Sequence, residues 1–180
     1  MRHRTLLVAA VALSLPLFSG GVRAQGDDND DDINTLRRAF RASLVGDNEV
    51  PPISTTAVGS VRFTVHTTPP SLDFRLTYTG LSSPITQSHV HFGPSKVNGG
   101  VMFYMCSNLP SPPPGTLACP GTTAGTVSGT ITMASVVGPT GQGISAGDFD
   151  KALRAIGDGL GYANIHTMTF PTGEIRGQVR

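Results

Sequence analysis

Cysteine is scarce in this chain: Cys106 and Cys119 are the only two among 180 residues. Their separation is too wide for a CxxC-type site. In an exported chain such a pair reads as a disulfide, with a metal or redox pair as the other reading. The bond would pin a loop that carries Pro110, Pro112, Pro113, Pro114 and Gly115. Clusters of basic residues are missing too, which argues against nucleic acid as a partner. No apolar run reaches the about 20 residues that a membrane span requires. No serine sits in a nucleophile elbow, and no glycine loop opens a helix as a phosphate cradle would.

What is present begins with an export pattern. Arg2 and Arg4 form a basic start, residues 6–18 are apolar, and Val22-Arg23-Ala24 supplies a small-residue cleavage site. The spacing predicts a signal peptide over residues 1–24, cut after Ala24, and hence a secreted or periplasmic protein with no membrane segment in its mature form. Residues 25–36 carry Asp27, Asp28, Asp30, Asp31 and Asp32. Carboxylates so close repel one another and bury nothing, so this stretch is predicted to be a disordered spacer. Removing the first 24 residues takes three arginines and no acids, which leaves ten basic against twelve acidic residues. No lipid-attachment cysteine follows the signal. Residues 37–180 then suit one domain with one core.

That domain alternates. Phe40, Ala42 and Leu44 share one face of an extended run, as do Val61, Phe63 and Val65, and Leu72, Phe74, Leu76 and Tyr78. Pro69-Pro70 reads as the turn between the last two runs. Val101, Phe103 and Met105 continue the pattern, then Val127, Gly129, Ile131 and Met133, and finally residues 162–166 and 174–179. Met102, Met105 and Met133 are assigned to the core. One segment breaks the period: Phe149, Leu153 and Ile156 recur at helical spacing, with Asp148 as N-cap and Gly157 as stop. The fold class predicted is all-β, an antiparallel β-sandwich or barrel with one short helix near residues 148–156.

The polar motifs, in order, are Asn48-Glu49-Val50-Pro51-Pro52, His89-Val90-His91-Phe92-Gly93, Gly147-Asp148-Phe149, His166-Thr167 and Phe170-Pro171-Thr172-Gly173-Glu174-Ile175-Arg176-Gly177-Gln178. In this order they resemble the CHRD (chordin-type) domain over about residues 38–180. Ser88 stands where that family usually has a small apolar residue. The resemblance implies an extracellular β domain of the kind found in chordin-like growth-factor antagonists and in secreted microbial proteins. It implies no established reaction. The expected function is therefore a non-enzymatic binding module for an extracellular protein or surface ligand, whose identity the resemblance does not supply.

The second expectation is a copper or zinc site. His89 and His91 are two residues apart on a strand and point the same way, and His166 from a neighbouring strand would complete a cluster. Met168 or Glu174 could add a further donor. The His-x-His segment before a glycine also resembles the copper segment of copper/zinc superoxide dismutases. Dismutase chemistry needs more imidazoles, and only His66 is left in the mature chain. The competing reading makes the histidines structural, their N–H groups bonded to backbone carbonyls that tie loops to the sheet. Glu49, Glu174 and Arg176 are read as structural, with Arg176 forked onto one of the two glutamates to lock the last strand.

Overall fold

The computed structural model describes residues 38–180. The expected signal peptide and acidic spacer lie outside the described residues. Strand β1 (Ala39–Val45) buries Phe40, Ala42 and Leu44 and exposes Arg41 and Ser43. Strands β2 (Val58–Thr67) and β3 (Pro70–Thr79) alternate the same way. The β-branched and aromatic residues of these runs suit a pleated surface with one wet face, which explains why the alternation is so regular. Strands β4 (Ile85–Phe92), β5 (Gly100–Ser107) and β6 (Gly125–Ile131) follow, then helix α1 (Phe149–Gly157), β7 (Gly161–Thr167) and β8 (Ile175–Gln178).

All pairings are antiparallel, and the strands form one eight-stranded sheet in the order β5-β4-β7-β8-β1-β2-β3-β6. The sheet curls until its end strands meet. Phe103 of β5 bridges Val136, just beyond β6, and Val137 N–H donates to the Met102 carbonyl at 2.8 Å. Phe63 of β2 and Phe103 of β5 touch edge to face across the interior, with ring centroids 6.3 Å apart. A flat sheet could not bring those strands together. The architecture is a nearly closed barrel, which leaves few exposed strand edges.

Cys106 in β5 and Cys119 in the loop leading to β6 form a disulfide. Pro110, Pro112, Pro113 and Pro114 lie between them, in a stretch with no strand of its own.

Three details differ from the sequence expectation. Met133 is 66% exposed rather than in the core. The strand ends at Ile131, and Thr132 and Ser135 form a reciprocal capping box around a 3-10 turn over Met133–Ser135, so the alternation is cut before residue 133. The helix runs one residue further than Gly157 would allow as a stop. Reversal comes at Asp158 and at Gly159, whose φ of 73° is left-handed. Asp148 occupies the N-cap position, but its carboxylate accepts from the Ser145 amide and the Lys151 ammonium, both at 2.9 Å, instead of capping the helix. Phe149, Ala152, Leu153, Ala155 and Ile156 form the buried stripe of α1. Among the described residues no helix is long and apolar enough to cross a membrane.

Candidate metal centre

Strand β7 is buried at all seven residues, unlike β1, which alternates. Its inward face carries Ala163 and Ile165; its other face is covered by loops rather than by solvent. Residues opposite one another in a sheet share a face, so the pairings His89–Asn164, His91–Tyr162, Gln87–His166 and Asn164–Arg176 put these side chains on one surface. Val90, fully buried, points the other way into the core. Bulges in β4 beside His89 and His91 shift its register against β5, so that His89 faces Tyr104. Bulges of this kind re-aim side chains.

Two loops roof this surface. Residues 93–99 are held by Arg176, whose guanidinium donates to Asn98 Oδ1 at 3.0 Å and to the carbonyls of Pro94 and Val97. Lys96 Nζ reaches the Asp47 carbonyl at 2.6 Å and ties that loop to the segment after β1. Gly99 permits the close approach, since a Cβ there would run into the Phe92 carbonyl. Residues 171–173 form the other roof. Gly173 has φ 129°, and a Cβ on it would come within 2.5 Å of Glu49 Oε1.

Under the roof, His89, His91 and His166 are 3%, 9% and 6% exposed. One ring nitrogen from each lies within 4.8 Å of the other two. His89 Nδ1 and His91 Nε2 are 3.1 Å apart, close to the spacing of two ligands on one ion with bonds near 2 Å. The His166 ring lies 4.6 Å from that of His89 and 6.4 Å from that of His91, centroid to centroid.

The outer nitrogens are fixed. His91 Nδ1–H donates to the Gly99 carbonyl and His166 Nδ1–H to the Pro171 carbonyl, both at 2.9 Å. Each bond sets the tautomer and leaves Nε2 as a lone pair aimed away from the loop, the arrangement usual for metal-ligating histidines. Nε2 of His166 and Nε2 of His89 are buried with no hydrogen-bond partner. The Asn164 carboxamide lies 3.1 Å from His91 Nε2.

Burial holds all three imidazoles neutral. It pushes the pKa of His89 down to about 2, aided by His166 and His91, whose charged forms it would repel. Burial takes His91 down to about 4 against its opposing hydrogen bond to the Gly99 carbonyl, and lowers His166 against its bond to Pro171. Neutral imidazole is the form that binds metals.

Tyr162 stacks flat on His91, with centroids 4.7 Å apart and planes 1° from parallel. The Arg176 guanidinium sits 3.3 Å over the Tyr162 ring. β4 and β8 flank β7, so Tyr162 is held between imidazole and guanidinium. Tyr104 meets His89 edge-on at 4.5 Å.

The expected fork of Arg176 onto a glutamate is replaced by its bonds to Asn98 and the two carbonyls. No Arg176–glutamate ion pair forms among the described residues. Glu174 is occupied elsewhere. Its carboxylate accepts from Thr55, Thr167 and both the amide and hydroxyl of Ser82. It therefore has no lone pair turned to the histidines, and Met168 is 69% exposed. Glu174 does not belong to the group of converging donors. His66 lies on the outer surface of β2, 2.9 Å from Asp73. Asn164, Tyr162 and Tyr104 complete the surroundings and escaped the reading of the sequence. Asn164 alone had a usable signal, two residues before His166 on the same strand.

Glu49 is 4% exposed, and its Oε1 has no partner. Burial pushes its pKa up to about 7, partly offset by Arg176, the Val50 amide and Lys96. Below pH 4.5 the carboxyl is protonated in both the folded and the unfolded chain and has no effect on stability. As pH rises through 7 the folded state must ionise a buried group that the unfolded chain ionised earlier, so stability falls. Glu49→Gln removes that penalty. The variant should match wild type at pH 4 and exceed it by about 2 kcal/mol at pH 8 in urea denaturation. A loss of stability at pH 8 would refute this account.

No curated protein and no solved structure gives a significant match to the chain. The sequence model of the CHRD domain matches residues 40–179, from the first core residue of β1 to the end of the barrel. With that match spanning all eight strands, the chain belongs to the CHRD domain family.

Proposed function

We propose that this CHRD domain is an extracytoplasmic metal-binding module, holding one copper or zinc ion on His89, His91 and His166. The observation that carries this reading is the convergence of one ring nitrogen from each of three buried histidines to within 4.8 Å, with Nε2 of His166 buried and partnerless and the opposite nitrogen of His91 already committed. A buried polar atom without a partner costs about 1–3 kcal/mol, and a cation held between the three neutral imidazoles would relieve that cost. A purely structural role accounts for the bonds to Gly99 and Pro171. It accounts as well for the 3.1 Å contact between His89 Nδ1 and His91 Nε2, but it leaves Nε2 of His166 without a partner.

The scale of the site favours an ion over an organic substrate. A large open groove, about 1390 Å³, is lined by Pro70, Met133, Phe149 and Arg154 among others, and none of the three histidines lines it. No catalytic step is assigned. The disulfide and the family are consistent with an extracellular location, and an export signal over residues 1–24 is part of the same proposal. A macromolecular ligand, the other expectation, has no named atoms to support it.

The test is a metal measurement on the purified protein. The chain is loaded with copper or zinc, freed of unbound ion and assayed by mass spectrometry. One ion per chain is expected, with loss of the ion in His91→Ala and in His166→Ala, and folding checked by circular dichroism. Binding should also raise the melting temperature of wild type, by the equivalent of about 4 kcal/mol at a thousandfold excess over Kd. Wild type that retains no metal, or folded variants that retain it fully, would overturn the proposal.

A further inference from the structure

Resting on the three-histidine reading, we infer that the site selects singly charged copper(I) over doubly charged zinc(II). The reason is charge. The converging donors are three neutral imidazoles, with no carboxylate or thiolate among them. Both cysteines are locked in the disulfide. Glu174 is spent on Thr55, Ser82 and Thr167.

A formal cation stands beside the site. Arg176, 2% exposed, lies on the far face of the tyrosine that stacks on His91. Glu49, the other carboxyl in this region, faces Arg176 and Lys96 and is outside the donor group. The cost of desolvating an ion grows with the square of its charge, so a buried site without anions penalises a dication far more than a monocation. Coordination geometry points the same way. Zinc(II) asks for a fourth ligand in a tetrahedron, whereas copper(I) is satisfied by three nitrogens in or near a plane.

Asn164 offers the means to invert the preference. Its carboxamide is 3% exposed and 3.1 Å from His91 Nε2. Asn164→Asp places a carboxylate at that point with almost no change of shape, giving the site the anion and the fourth donor that zinc(II) requires.

Two competition titrations on the purified chain test this. Copper(I), kept reduced with ascorbate without oxygen, is competed against bicinchoninate, and zinc(II) against a chromophoric zinc indicator. Wild type should bind copper(I) at least about 100-fold more tightly than zinc(II), and Asn164→Asp should narrow that ratio by about tenfold or more. Zinc(II) binding as tightly as copper(I) in wild type would overturn the inference and leave the three-histidine site standing. A folded Asn164→Asp protein with an unchanged ratio would overturn the charge argument. Wild type that binds neither ion would instead remove the site itself. The wild-type comparison needs no variant, so it decides the matter even if Asn164→Asp does not fold.

Discussion

Replacing Glu174 by alanine is expected to destabilise the domain by about 4 kcal/mol, a large part of the 5–15 kcal/mol that holds a domain folded. Glu174 is fully buried immediately before β8. Its Oε1 accepts from Thr55 Oγ1 and the Ser82 amide, both at 2.9 Å; its Oε2 accepts from Ser82 Oγ at 2.9 Å and Thr167 Oγ1 at 2.8 Å. One carboxylate thus gathers the loop before β2, the loop after β3, the end of β7 and the start of β8. Alanine leaves those donors facing a void. The hydroxyls can turn elsewhere, but the Ser82 amide cannot, and an orphaned buried donor costs about 1–3 kcal/mol by itself. Glu174→Gln keeps one acceptor oxygen and should cost roughly half as much. Urea denaturation reads both values. A cost below about 1 kcal/mol for alanine would mean that the carboxylate is incidental to the fold.

The disulfide carries the second large effect. Cys106 and Cys119 are 13 residues apart, and closing a loop of that length is worth about 3 kcal/mol through the entropy of the unfolded chain. The loop has other ties. Asn108 exchanges two hydrogen bonds with the backbone of Cys119, at 3.1 and 3.0 Å, and the Ser107 amide donates to the Leu117 carbonyl at 2.8 Å. The Cys106→Ala, Cys119→Ala double variant should therefore fold to the same barrel and melt about 10 °C lower. Wild type held in strong reductant should melt at nearly the same lowered temperature. A double variant that melts with wild type would show that the Asn108 bonds alone close the loop.

What could be read from the chain was whatever a strand or helix writes locally. Phe40, Ala42 and Leu44, or Leu72, Phe74 and Leu76, declare their buried face because the other face is wet, and a period of two results. Phe149, Leu153 and Ile156 declare a helix for the same reason at a different period. The common direction of His89 and His91 follows from their spacing alone. Strand β7 was less legible, because the roofing loops bury both its faces and Asn164 then resembles a solvent residue in sequence while being 3% exposed. Arg176 misled by its chemistry. A guanidinium near two glutamates suggests an ion pair, but backbone carbonyls of residues 94 and 97 and an aromatic face satisfy it instead. The choice between sandwich and barrel lay in the meeting of β5 with the segment after β6, which no local pattern encodes. Met133 fell on the wrong side because a two-residue period carries no mark of where a strand stops.

The position of β8 bears on how the chain can be built. The last strand is not at a rim but between β7 and β1, joining them through Asn164–Arg176 and Val45–Arg176. Until those final residues leave the ribosome, the group β1-β2-β3-β6 and the group β5-β4-β7 lack the seam between β1 and β7, and each presents a raw strand edge there. A nascent or nonsense-truncated chain ending before Ile175 is thus a barrel split along one side, with two raw edges open to pairing with other chains.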